Sequence, residues 1–352
     1  MFRLVASVVA ALAVALPAAA LAQHNDRFAE TLRRPRPEMA DKVEDRVNAA
    51  FRNWLHANNV ANAALIVTKD SRTIGHFGYG ERSPDIAVPV ASLSKAITGV
   101  CIASLVDGGR LSYQTRIASA LRKFLTPHQP HNVRARNITI EQLLRHQSGL
   151  ERDSTQGGFA DIPNADSSDV LLARRTLGVT LASARGTHFF YNNVNYALLG
   201  LVIQEVTGEH YEAYCRRVAL APRGAPGAHI GAGIRAMGAF GGWEISASEY
   251  AQFARAFDPR QRLLSPQAQQ FINTGAGGRY YALGINVVRT ATGRNLFHFG
   301  DWNATSTTPR QFGAFFASWD NGVSVVANYD IHVPDQGRTA LDDALRNAAY
   351  GR

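Results

Sequence analysis

The sequence predicts an α+β protein: an antiparallel sheet drawn from both ends of the chain, flanked by helices, with a helical region inserted in the middle. Three observations carry that prediction. Two short apolar stretches, Ala63 to Thr68 and Thr73 to Phe77, flank Asp70-Ser71 and read as a hairpin. Strand-like runs return late, at Tyr280 to Val288, Phe312 to Trp319 and Gly322 to Asn328, the last two joined by the turn signal Asp320-Asn321-Gly322. Between about residues 115 and 230 the pattern changes to helices and long loops, including Ile138 to Arg145, Ser168 to Leu177 and Tyr196 to Val206.

Taken in order, the chain opens with an address. One charge at Arg3 precedes an almost unbroken Val/Ala/Leu run from Leu4 to Leu16, and Ala20-Leu21-Ala22 before Gln23 has the small-x-small form of a signal-peptidase site. Residues 1–22 are therefore expected to be a signal peptide. An uncleaved membrane anchor is the alternative, because Leu4 to Ala22 is nearly long enough to span a bilayer. Pro17 and the cleavage-like end favour removal, which leaves an exported chain, periplasmic or secreted, with no stable membrane insertion. Residues 23–40 are polar, broken by Arg33-Arg34-Pro35-Arg36-Pro37, and read as a flexible lead-in to a single domain over 41–352. Val43, Val47, Ala50, Phe51 and Leu55 share one face of a first helix. Ser92 to Leu105 forms the strongest helix, stopped by Asp107-Gly108-Gly109; Ser246 to Phe257 and Thr339 to Ala349 are the later ones.

Composition removes several classes of function. The 352 residues are 46% hydrophobic and 18% charged, which excludes intrinsic disorder. A net charge of +9 invites a nucleic-acid reading, but the arginines are scattered and no aromatic-interleaved basic block occurs. No nucleic-acid partner is expected. Two cysteines exclude a disulfide-built miniprotein; Cys101 and Cys215 form either one bridge or two buried thiols. His128 and His131 lie in a polar, Pro-containing stretch that reads as a surface loop, so no metal is expected. There is no G-x-S-x-G elbow and no phosphate-binding P-loop. Gly231-Ala232-Gly233-Ile234-Arg235-Ala236 follows a Gly/Pro-rich loop, which argues against dinucleotide binding. No cofactor is implied.

The 37 basic residues are 33 Arg and only four Lys, at 42, 69, 95 and 123. Guanidinium stays charged, so a lysine is the basic residue that can give up its proton. Lys95 stands three residues after Ser92 at the start of the strongest helix, which puts both on one face, one turn apart. The helix start also aims free N–H groups at the same point. Acyl transfer by serine needs both features: a base for the hydroxyl proton and donors for the oxyanion. A capping serine followed by an exposed lysine would give the same spacing.

Two downstream motifs bear on that choice. Tyr191-Asn192-Asn193 precedes the helix Tyr196 to Val206, and His298-Phe299-Gly300 falls in a strand-like segment. With Ser92-Leu93-Ser94-Lys95 they resemble, in order and spacing, the S-x-x-K, Y-x-N and K/H-x-G set of the penicillin-recognising serine hydrolases. That β-lactamase-related family includes class C β-lactamases, D-Ala-D-Ala carboxypeptidases and related esterases. Leu143-Leu144-Arg145-His146-Gln147-Ser148-Gly149-Leu150 is similar to its L-L-x-H-x-S-G-L stretch, and Tyr191 to Gly200 to its Y-S-N-x-x-Y-x-L-L-G stretch. Gly241-Gly242 before a Ser-Ala-Ser-x-x-Tyr helix also fits, so the resemblance runs from about residue 40 to 330.

The resemblance implies a β-lactamase/transpeptidase-like fold and an acyl-enzyme on Ser92, with Lys95 as base or proton relay and Ser94 a bystander. Tyr191 is expected to serve as a base, its phenol acidified by the charge of Lys95. Asn193 is expected to bond Lys95 and the substrate amide while capping the next helix. His298, where many β-lactamases carry Lys, supplies a donor and a switchable charge. Gly300 belongs to the same binding strand, and the backbone N–H of Asp301 would join that of Ser92 in the oxyanion hole. The Asp301 carboxylate beside the acyl site would repel a substrate carboxylate, favouring neutral esters or amides. The expected partner is thus a small-molecule or peptide substrate with an ester or amide bond. Esterase, peptidase and β-lactamase activities stay open, as does a silent, wall-associated binding or regulatory protein that keeps the fold.

Overall fold

The computed structural model describes residues 42–126, 133–155, 162–166, 168–178, 181–303 and 310–352. The expected signal peptide, the lead-in, and His128 with His131 lie outside the described residues. Among the described residues no helix is long and apolar enough to cross a membrane.

The chain begins with helix α1 (Val43–Ala57) and the hairpin β1 (Ala63–Lys69) and β2 (Arg72–Tyr79). The short strand β3 (Val88–Pro89) and a single 3-10 turn (Ala91–Leu93) lead into α2 (Ser94–Asp107). Helices follow, chief among them α3 (Ser168–Leu177) and α4 (Asn193–Thr207), before β4 (His229–Ile230), β5 (Trp243–Ile245), α5 (Ala247–Ala254) and α6 (Pro266–Asn273). Five strands come next: β6 (Arg279–Ala282), β7 (Ile285–Arg289), β8 (Arg294–Trp302), β9 (Phe312–Ser318) and β10 (Val323–Tyr329). The closing helix is α7 (Asp335–Tyr350).

Seven strands form one antiparallel sheet in the order β2-β1-β10-β9-β8-β7-β6, so the two chain ends meet at β1 and β10. Because alternate side chains point to opposite faces, each strand feeds two cores. Ile66, Leu296, Phe316 and Val326 pack inward with α2, α4 and α5. Leu65, Val67, Phe315, Ala317 and Val325 pack outward against α1 and α7. Trp54 ties those two outer helices by donating Nε1–H to the Gly337 carbonyl at 2.8 Å.

Helix α2 is buried on nearly every side, as a sequence of small and apolar residues broken only by Lys95 and the terminal Asp107 allows. Cys101 on this helix is joined to Cys215 by a disulfide spanning 114 residues, so the bridge is formed rather than two thiols. The run Tyr280 to Val288 is not one strand. Leu283 and Gly284 both take positive φ (47° and 84°) and fold it into the hairpin β6–β7. A Cβ on Gly284 would sit 2.2 Å from the Lys95 carbonyl carbon, so only glycine lets this turn press against α2.

Candidate active site

Ser92 lies in the 3-10 turn just ahead of α2 rather than within the helix. The residue before it, Ala91, is held at φ 46°, a left-handed conformation that L-residues avoid. Val90 anchors the turn on both sides: its N–H donates to the Trp243 carbonyl at 3.1 Å, and its carbonyl accepts from Leu93 N–H at 3.2 Å. Gly300 on β8 explains why the sheet can touch this turn. A Cβ there would lie 2.1 Å from the Val90 carbonyl oxygen, so glycine at this position permits backbone-to-backbone approach.

The structure brings Ser92, Lys95, Tyr191 and Asn193 together. Lys95 is fully buried, with Nζ 2.7 Å from Asn193 Oδ1, 2.7 Å from the Phe240 carbonyl oxygen and 2.9 Å from Ser92 Oγ. The first two partners can only accept. Protonated, the amine donates to all three; in its neutral form its two hydrogens bond Asn193 and Phe240 and its lone pair faces the Ser92 hydroxyl. Burial pushes the Lys95 amine well below the ordinary lysine value, against a smaller opposing pull from Asp153.

Tyr191 donates its hydroxyl to Ser92 Oγ at 2.9 Å from the segment before α4. Protein packed around it raises its phenol above the ordinary value, although the ring edge reaches solvent. This corrects the expectation of a phenol acidified by Lys95. Desolvation, the largest influence on this phenol, favours its protonated form.

Asn193 is the first residue of α4, and Asn192 caps the helix instead, accepting from Val194 N–H at 2.8 Å. That frees the Asn193 amide for chemistry: Oδ1 meets Lys95 while Nδ2 donates to Thr155 Oγ1 at 2.8 Å. Asp153 accepts from the Asn193 backbone N–H at 3.0 Å and from the Thr155 hydroxyl at 2.7 Å.

His298 is buried on β8, with Nδ1 2.6 Å from the Phe299 carbonyl and Nε2 2.8 Å from the Tyr281 hydroxyl. A carbonyl only accepts, so Nδ1 carries the hydrogen and Nε2 accepts from Tyr281. Burial above all pushes the imidazole down to about 3. The switchable charge expected of His298 is therefore absent at neutral pH.

Asp301 departs further from expectation. Residues 296, 298, 300 and 302 of β8 face the inner core, so Asp301 points to the opposite side of the sheet. Its carboxylate accepts from His332 Nδ1 at 2.7 Å, Arg338 Nη1 at 2.8 Å and Val333 N–H at 3.1 Å. It does not stand beside the acyl site, and the inference of repulsion from sequence position fails on strand alternation.

Several participants had little or no sequence signal. The Phe240 oxygen is backbone and carries none; Asp153 and Thr155 lie in an irregular stretch without periodicity. His146 and Tyr281, whose rings lie 4.5 Å and 6.1 Å from that of Tyr191, complete an aromatic enclosure with His298. Of these only His146 stood in a recognisable motif.

The fold and this serine–lysine–tyrosine cluster define a class of protein, and the comparisons agree. The family model described as Beta-lactamase matches residues 47–347, and the chain belongs to that family. Protein flp of Staphylococcus aureus (strain COL) is 29% identical over 194 residues, covering 52% of this chain and 38% of that protein. The chain thus spans well under half the length of that curated relative. Among solved structures, the octameric penicillin-binding protein homologue from Pyrococcus abyssi superposes with a TM-score of 0.71 at 18% identity, covering 87% of this chain and 77% of that one. The D-alanine carboxypeptidase AmpC from Burkholderia cenocepacia gives 0.68 at 16%, covering 88% and 99%. These likenesses establish the β-lactamase/transpeptidase-like fold, an antiparallel sheet with flanking helices.

Proposed function

We propose that the protein is an exported serine acyl hydrolase that forms an acyl-enzyme on Ser92. The observation that carries the proposal is the placement of Ser92 Oγ at 2.9 Å from both Lys95 Nζ and the Tyr191 hydroxyl, with the other hydrogens of Lys95 already committed. Ser92 Oγ attacks the carbonyl carbon of an ester or amide while its proton passes to the lone pair of Lys95. The bond to the leaving group breaks, and that group departs with the proton held between Lys95 and Tyr191. Water then attacks the acyl carbon, releasing a carboxylic acid and restoring the Ser92 hydroxyl. Backbone N–H groups of Ser92 and Asp301 are proposed to hold the oxyanion; the close approach at Gly300 supports this by setting β8 beside the Ser92 turn.

Neutral esters or amides remain the favoured substrates, for a reason other than the Asp301 carboxylate. A substrate carboxylate directed at the third motif meets a neutral imidazole where many β-lactamases carry an ammonium. Export is supported by the leader-like residues 1–22 and by the Cys101–Cys215 bridge, which persists in oxidising compartments. The test is labelling by a fluorophosphonate or penicillin probe, followed by turnover of p-nitrophenyl esters, D-amino-acid amides and nitrocefin. Wild type should label and Ser92→Ala should not. Absence of labelling and of ester turnover in wild type would refute the proposal and favour a silent binding protein.

A further inference from the structure

We infer that His146 is a positioning residue for Tyr191, an inference that rests on the hydrolase reading above. His146 grips the chain on both sides of that tyrosine. Its backbone carbonyl accepts from Phe190 N–H at 2.9 Å, and its Nδ1 accepts from Asn192 N–H at 3.2 Å. Between these two bonds the Tyr191 ring rests on the imidazole, centroids 4.5 Å apart and planes tilted by 38°. The residue ahead, the residue behind and the aromatic ring are thus all referenced to one side chain and its own carbonyl.

His146 is itself fixed in place and in protonation. It is buried and adopts φ 55°, a left-handed conformation uncommon for a residue that carries a side chain. A backbone N–H can only donate, so Nδ1 bears the lone pair. Asn195 agrees: its Oδ1 accepts from Ser148 Oγ at 2.7 Å, which turns its Nδ2 donor toward the same Nδ1 at 3.0 Å. The hydrogen of the neutral ring therefore sits on Nε2, which has no partner among the described residues and is enclosed by the rings of Tyr191, Tyr196 and Tyr281. This is the opposite tautomer to His298, and it suits a residue that must accept from the chain while presenting an uncharged face to Tyr191.

If this grip sets the Tyr191 hydroxyl 2.9 Å from Ser92 Oγ, loosening it should slow chemistry more than binding. His146→Phe keeps an aromatic ring and removes the acceptor. His146→Asn keeps an acceptor near the Nδ1 position, tolerates positive φ, and removes the ring. In the full-length protein, His146→Phe should lower kcat for p-nitrophenyl ester hydrolysis about 10- to 100-fold with KM within about threefold. His146→Asn should recover at least half of that loss on a logarithmic scale, and either variant combined with Tyr191→Phe should cost less than about twofold beyond Tyr191→Phe alone. Equal losses in the two backgrounds would overturn the inference, since a purely structural role does not depend on the Tyr191 hydroxyl. Should His146→Phe fail to fold, the His146→Asn cycle with Tyr191→Phe decides alone. Inert wild type would remove the hydrolase reading and this inference together; active wild type with unimpaired His146 variants would remove this inference only.

Discussion

Gly300→Ala tests most directly how the site is assembled. The added Cβ would sit 2.1 Å from the Val90 carbonyl oxygen, where an unstrained contact needs at least about 3.2 Å. The two nearest atoms are Val90 backbone and the third is the fixed Cβ of Ala91, so no side chain can swing aside. Either β8 or the Val90–Ser92 turn must move by about 1 Å. The Ser92 turn is the weaker of the two, because β8 is paired along its length with β9 and Ala91 is already strained. A 1 Å shift stretches the 2.9 Å bonds from Ser92 Oγ to Lys95 and Tyr191 past useful hydrogen-bond length. Misplacement on that scale lowers acylation about 100-fold, and the overpacking itself destabilises by about 1–3 kcal/mol. Stopped-flow labelling with a fluorophosphonate measures the first effect, and thermal unfolding the second. An alanine variant that acylates at the wild-type rate would show that Gly300 is not needed for approach and would refute the reasoning.

Three further perturbations have expected outcomes. Removing the bridge with Cys101→Ala and Cys215→Ala together releases a loop of 114 residues and should destabilise by about 5 kcal/mol on chain-entropy grounds; denaturant unfolding that matches wild type would contradict a formed disulfide. Asp301→Ser removes the partner of Arg338, His332 and Val333 N–H and should lose about 2–4 kcal/mol in thermal unfolding. The same variant should leave the ratio of neutral to anionic substrate turnover within about threefold, because its carboxylate faces away from Ser92. Acylation should fall as pH drops and Lys95 gains the proton that blocks its lone pair, with that limb well below the ordinary lysine value of 10.5; a limb centred near 10.5 would refute a lowered Lys95.

The sheet and its helical insert were legible because period-2 and helical apolar spacing are local signals, and β1, β9 and β10 follow them closely. The hairpin β6–β7 was not, because Leu283 takes positive φ under tertiary pressure from α2 rather than by preference. At the site, Ser92 and Lys95 were readable from spacing, and Tyr191 and Asn193 from their motif. Their protonation states were not. Position beside a lysine suggested an acidified phenol, but desolvation by the surrounding protein, which no sequence displays, reverses the sign for Tyr191, and burial empties His298 of charge. Asp301 failed for a simpler reason: adjacency in a strand means opposite faces, so the residue next to Gly300 is the one whose side chain cannot share its surroundings.

The excess of arginine takes on meaning once burial is known. Lys42 and Lys123 are exposed and Lys69 is half-buried, positions where arginine would serve as well for charge. Lys95 differs in kind. Its pocket offers two acceptors and a hydroxyl, which can be met by the two hydrogens and one lone pair of an amine; a guanidinium has no such lone pair and is the bulkier group. Among the described residues no carboxylate bonds Nζ, and the opposing pull of Asp153, which acts from behind Asn193, is smaller than the effect of burial. A chain that uses arginine almost everywhere for surface charge therefore keeps lysine where charge must be absent. The chemistry proposed for Ser92 depends on that absence, since the same residue protonated would face the serine with a third donor and could take no proton from it.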